Sequence, residues 1–252
     1  MLDLLLIVAF AFLFGLVDAS FGMGYGTLLT PMLLITGFAP LHVIPAVLVS
    51  QLAGDFLAAL FHHKFENVNL SVGSEHFKTA VILAFLSLAG SVIAVLIATN
   101  LPAFYLNLYI GASVAVSGIV ILAAKKKSRN FSWRRLLYLG LFAAFNKGIS
   151  GGGYGPILVA GQILTGVEVK SAIGITVLAE GVTCIFAAAT YFLVSGNVDW
   201  QLLILLSVGI ALSTPFAAFI VKRIDSNNLK TIIGTITLML GLLTLIRTIF
   251  NT

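Results

Sequence analysis

Apolar and polar positions divide this chain into two similar halves. In the first, apolar runs cover roughly 2–19, 22–36, 39–61, 77–98 and 103–123; in the second, roughly 134–149, 151–165, 168–194, 201–221 and 231–250. Polar residues collect between the runs, with the longest stretches at 62–76 and 124–135. Several runs reach the ~20 residues a helix needs to cross a bilayer. The second run of each half has only about 15 residues, roughly 22 Å at helical rise against a ~30 Å hydrocarbon core. Those two cannot be ordinary spans. The pattern predicts an all-α polytopic membrane protein with about ten helical segments.

Each short run opens on the same glycine-rich break, Ser20-Phe21-Gly22-Met23-Gly24-Tyr25-Gly26-Thr27 in one half and Ser150-Gly151-Gly152-Gly153-Tyr154-Gly155-Pro156 in the other. Superposed without a gap, Gly22, Gly24, Tyr25 and Gly26 fall on Gly151, Gly153, Tyr154 and Gly155, and Thr36-Gly37 falls on Thr165-Gly166. The repeat continues more weakly in Asn67-Val68-Asn69-Leu70 against Asn197-Val198-Asp199-Trp200. It continues also in Gly111 and Gly118 against Gly234 and Gly241. Small residues seven apart share a helix face and allow close packing. The division follows: residues 1–123 form one repeat, 124–133 a basic linker and 134–252 the second repeat. Corresponding glycine- or proline-broken segments in two halves are a sequence pointer to a transporter's binding site.

Composition agrees with the membrane reading. Of 252 residues, 60% are hydrophobic and 9% charged, and mean hydropathy is +1.11, whereas soluble domains carry about 25% charged residues. The net charge of +5 belongs to the loops, so it marks orientation and no nucleic-acid partner. Lys125, Lys126, Lys127, Arg129, Arg134 and Arg135 place 124–135 in the cytoplasm by the positive-inside rule. If every run crosses, Lys64, Lys78, Lys170, Lys222, Arg223 and Lys230 also face inward, which puts twelve of the fourteen basic residues on that side. An odd number of crossings per half makes the repeats inverted and places both termini outside. Met1-Leu2-Asp3 lacks the basic start of a signal peptide, so the first run reads as an uncleaved span. One cysteine, Cys184, excludes an internal disulfide.

In an inverted repeat the two short helices run antiparallel, with their N-termini converging near the membrane midplane. Free N–H groups at a helix N-terminus, approached closely over glycine, bind anions; successive glycine amides also make anion nests. Gly22, Gly24, Gly26, Gly151, Gly152 and Gly153 are therefore expected to shape an amide cradle. Tyr25, Tyr154, Ser20, Ser150 and Asn146 would add side-chain hydrogen bonds. Pro156 suits a first helical turn, where its missing N–H costs nothing. The competing reading is that the glycines only let helices pack.

Four ionisable residues sit inside apolar runs, where a charge must be paired, hydrated or neutralised: Asp18, Asp55, Lys147 and Glu180. Asp18 and Lys147 occupy equivalent repeat positions, as do Gln51 and Glu180, so the four are expected to face each other. Lys147 would supply positive charge to the substrate, with Gln51 and Glu180 lining the far wall. Asp18 and Lys147 could instead snorkel to the interfaces. Withdrawal from water favours the neutral form of a carboxyl, which makes Asp18, Asp55 and Glu180 the proton-coupling candidates.

Other chemistry is weaker. Gly24-Tyr25-Gly26 echoes a potassium filter, but such filters need four carbonyl loops and this chain supplies two. Gly148-Ile149-Ser150-Gly151 has the outline of an intramembrane serine protease, yet no histidine follows residue 76 to act as its base. His62, His63, Glu66, Glu75 and His76 match no compact zinc spacing. Neither a cofactor nor a resident metal is expected.

The tract, short run and long run, repeated and each closed by a G-x-V-D-like turn, resemble the sulfite exporter TauE/SafE family. The best-matching residues are Gly151-Gly152-Gly153, Ala172-Ile173-Gly174-Ile175-Thr176 and Gly196-Asn197-Val198-Asp199-Trp200. The resemblance covers essentially the whole chain. It implies a carrier that moves sulfite or an organosulfonate outward through the cytoplasmic membrane. Met23 and Tyr25 interrupt a first tract that is usually richer in glycine, and Ala160 stands where Pro31 would repeat. The expectation is a secondary transporter for a small anion, working by alternating access, with a proton as possible coupling ion. An anion channel of the same fold and a metal-cation carrier remain the alternatives.

Overall fold

A computed structural model describes residues 2–123, 133–195, 198–221 and 226–250. The described residues form ten α-helices and no strand: α1 (Leu2–Phe21), α2 (Tyr25–Thr36), α3 (Pro40–Lys64), α4 (Glu75–Asn100), α5 (Ala103–Ala123), α6 (Trp133–Ser150), α7 (Tyr154–Leu164), α8 (Val169–Ser195), α9 (Trp200–Val221) and α10 (Ser226–Phe250). These follow the ten apolar runs closely. Of the basic linker, Lys125, Lys126, Lys127 and Arg129 lie outside the described residues, as do Gly196, Asn197, Lys222 and Arg223.

Among the described residues, six helices are long and apolar enough to span a bilayer: α1, α3, α4, α5, α8 and α9. Their outward faces carry large apolar side chains such as Leu13, Phe85, Ile204 and Phe216, as lipid contact requires. This is a multi-pass membrane protein. Two further helices are short: α2 has 12 residues and α7 has 11.

Local chemistry sets the helix ends. Pro40 opens α3 in the first turn, and the Ser74 hydroxyl caps α4 by accepting from the Phe77 amide at 3.1 Å. Both short helices stop the same way. Gly37 and Gly166 take left-handed φ of 106° and 94°. Each closes a Schellman motif, with Phe38 N bonding Leu33 O at 3.2 Å and Val167 N bonding Gln162 O at 3.0 Å. The repeated Thr-Gly pair is thus a repeated helix stop.

The two halves interlock. α1 packs mainly on α9 and its counterpart α6 on α4; α3 also meets α9, and α8 meets α4. The helices α3 and α8 cross each other, as do α5 and α10. Exchanging the halves leaves these pairings unchanged. The exchange holds at atomic detail between α5 and α10. A β-carbon at Gly118 would sit 2.7 Å from Leu238 Cα, and one at Gly241 would sit 2.7 Å from Ala115 Cα. Residues 118 and 115 fall on 241 and 238 in the repeat register, so one contact is made twice.

Candidate functional site

The glycine tracts are brought together head to head. Each half leaves its first helix with the same bond, Gly22 N to Asp18 O at 2.6 Å and Gly151 N to Lys147 O at 2.8 Å. It then turns through positive φ at Gly22 (63°) and Gly24 (134°), and at Gly151 (72°) and Gly153 (77°). L-residues other than glycine pay strain there. A β-carbon at Gly26 would overlap the Gly151 carbonyl oxygen, and one at Gly155 would overlap that of Gly22. One at Gly152 would lie 2.6 Å from Thr27 N. The tips of α2 and α7 touch backbone to backbone, and glycine is the only residue that fits between them.

Beside the tips lies a closed polar quartet. The Gln51 amide donates to Asp18 Oδ2 at 3.3 Å and to Glu180 Oε1 at 3.0 Å. The Lys147 ammonium donates to Gln51 Oε1 and, at 2.9 Å, to Glu180 Oε1. All four are buried, Lys147 completely, so Asp18 and Lys147 do not snorkel. The repeat register maps Asp18 onto Lys147 and Gln51 onto Glu180. The Gln51–Asp18 bond therefore repeats as the Glu180–Lys147 pair, and the Gln51–Glu180 bond joins equivalent residues. The quartet thus joins residues that the repeat register makes equivalent.

Asp55, one turn beyond Gln51, is buried as well, and its Oδ2 has no hydrogen-bond partner among the described residues. Cys184 occupies the repeat position of Asp55 and is also buried. Three carboxyl groups thus share one ammonium away from water. Burying charge is costly unless it is paired, so the cluster as it stands is short of positive charge.

The two tips differ in what faces them. The Tyr25 amide at the head of α2 donates to Asp18 Oδ1 at 3.0 Å. At the head of α7 the equivalent of Asp18 is Lys147, an ammonium that cannot accept from the Tyr154 amide. Gly153 N is held instead by Thr27 Oγ1 at 2.8 Å, across the junction. The reverse bond cannot exist, because the residue equivalent to Thr27 is Pro156.

Other residues expected at the site have structural partners. The Tyr25 hydroxyl is buried between Ser50 Oγ (3.0 Å) and Leu206 O (3.3 Å). Asn146 Oδ1 accepts from the Tyr109 hydroxyl at 2.9 Å. The Ser150 hydroxyl donates to Asn146 O at 2.7 Å and accepts from Gly152 N at 3.2 Å. Ser20 is buried near the end of α1. The Tyr154 hydroxyl is buried without a hydrogen-bond partner among the described residues. Thr27, Ser50 and Tyr109 hold this region together but carried no sequence signal, being ordinary hydroxyls on apolar helices. In the histidine loop, His63 Nδ1 accepts from Leu70 N at 3.3 Å and His76 Nδ1 from Asn69 N at 3.4 Å. Among the described residues no three His, Cys, Asp or Glu side chains are grouped to hold a metal ion.

Residues 7–244 match the family model described as "Sulfite exporter TauE/SafE". A curated relative, "Probable membrane transporter protein YtnM" of Bacillus subtilis (strain 168), is 25% identical over 255 aligned residues, which cover 95% of this chain and 83% of that protein. No solved structure gives a significant match.

Proposed function

Because the chain belongs to the sulfite exporter TauE/SafE family, we propose that it is a membrane transporter carrying a small sulfur oxoanion, sulfite or an organosulfonate, outward across the cytoplasmic membrane. Support comes from one arrangement: two helix N-termini meeting tip to tip beside a fully buried lysine. Helix N-termini and an ammonium both favour a negative solute, and each is otherwise costly to bury. The tips are in contact, so this is a closed form; an anion enters as they separate. Gly22, Gly24, Gly26, Gly151, Gly152 and Gly153 then expose their amides, and Lys147 supplies the charge. Ser20, Tyr25, Asn146, Ser150 and Tyr154 border the space, and Gln51 and Glu180 close its far wall.

The halves 1–123 and 134–252 rock against each other about the linker to give alternating access. Loop 124–135 faces the cytoplasm and both termini face outward. An anion beside Asp18, Asp55 and Glu180 must be accompanied by positive charge, and a proton on one of these carboxyls provides it. The driving force is a proton gradient or the anion's own gradient.

Flux in liposomes holding the purified protein, compared for sulfite, an organosulfonate, thiosulfate and sulfate, tests the proposal. Saturable flux that prefers the first two is the expected result. Unsaturable ohmic current, or flux of a divalent metal ion with none of an anion, overturns it.

A further inference from the structure

The break that frees the tips also strands backbone carbonyls. In an unbroken helix Ala19 O would bond Met23 N, and Gly148 O would bond Gly152 N. The chain turns away at the tract glycines, and neither bond forms. A buried carbonyl without a donor is costly, and each of these two has found one. The His62 ring, fully buried at the end of α3, places Nε2 2.6 Å from Ala19 O. The Tyr191 hydroxyl, buried near the end of α8, donates to Gly148 O at 3.1 Å. In the register that superposes the tracts, Ala19 falls on Gly148 and His62 falls on Tyr191. The same latch is built twice from different side chains.

Partners fix the chemistry of each. Ala19 O only accepts, so His62 Nε2 carries the hydrogen. Nδ1 is then the acceptor for the Asn67 amide at 3.2 Å. Asn67 lies in the α3–α4 connection and also bonds His62 O through its own N–H at 2.9 Å. The latch therefore ties the α1 break to that connection. Tyr191 lies one turn before the end of α8, toward the 195–200 connection. Under the inverted-repeat topology of the transport proposal, equivalent positions lie on opposite sides of the centre, which puts one latch between the tips and each membrane face.

We infer that His62 and Tyr191 are the positioning residues of two opposed gates: each clasps the loose end of a broken helix and closes one mouth, and alternating access requires one to let go while the other holds. This rests on the alternating-access proposal above. Neither residue touches the quartet, so their work is in closure and not in binding.

Sided chemical labelling tests it. Cys184, the one cysteine of the chain, is buried one turn beyond Glu180, and a charged methanethiosulfonate added to either side of proteoliposomes reports which mouth is open. His62→Leu should speed labelling from the α3–α4 side by about two- to tenfold, the population shift one lost hydrogen bond gives. Tyr191→Phe should do so from the opposite side. His62→Gln, which restores a donor, should return the rate toward wild type. Cysteines at Ser20 and Ser150 in a Cys184→Ala background repeat the measurement should Cys184 stay unreactive. Faster labelling from the same side in both variants, from both sides equally, or from neither side with any reporter, overturns the inference. Sulfite flux in the same vesicles separates the two proposals. Saturable flux without sided labelling removes the latches alone, and sided labelling without anion flux removes the substrate reading alone.

Discussion

The heads of α2 and α7 share a backbone and differ in charge. Both are entered through paired positive-φ glycines, both end on a Gly-centred Schellman stop, and each presses a glycine onto the other's carbonyl. At α2 an aspartate sits on the first helical amide; at α7 the same position holds a lysine that turns to Gln51 and Glu180. The repeat has kept its scaffold and diverged at its charges. Asp18 already occupies the first amide of the α2 head, and under the transport proposal this leaves the α7 head with Lys147 for a solute. Two helix heads built alike become unequal toward an anion when one carries its own carboxylate and the other a lysine.

The largest test of this contrast is Lys147→Met. Removing one partner of a buried pair costs about 3–5 kcal/mol, and anion flux should fall to background with a matching drop in Tm. Adding Glu180→Gln should recover most of the Tm and none of the flux. Recovery of both would remove Lys147 from the site. Next come Gly26→Ala and Gly155→Ala, which force a methyl into the opposite carbonyl. Overpacking of this kind costs about 1–3 kcal/mol, and thermal unfolding should show similar losses for the two. A loss in only one would break the equivalence of the heads. The smallest effect belongs to Asp18→Asn, which keeps an oxygen for the Tyr25 amide, drops the charge and gives up the bond from the Gln51 amide. A charge at a helix terminus is worth about 0.3–1 kcal/mol, so KM for the anion should fall about two- to fivefold, while Tm should drop by the worth of one buried hydrogen bond, about 0.5–1.5 kcal/mol. An unchanged KM would mean that the two heads are not distinguished by charge.

Much of this was legible in the chain. Hydropathy alone placed the ten helices, since a lipid-facing helix must be apolar along its length, and α2 and α7 stood out by being too short. The gapless tract alignment also paired Asp18 with Lys147 and Gln51 with Glu180, the residues that meet in the quartet. The bonds themselves were not legible. Nothing in the composition says that Asp18 caps α2, or that the Tyr25 hydroxyl turns to Ser50 and away from the tips. Both depend on how α1, α3 and α9 cross. His62 read as one of several loop histidines because a stranded carbonyl has no sequence signature. Its register partner Tyr191 was the available clue, and it is hidden because a histidine and a tyrosine look unalike until both are seen as donors.

The exchange of partners between halves also governs how the protein is made. α1 finds its principal neighbour in α9, and α4 finds its own in α6, each from the far side of the linker. A ribosome that has delivered only the first five helices has placed in the lipid several faces whose mates are still untranslated. Helices in a bilayer insert first and associate afterwards; here the second step waits until nearly the last span has emerged.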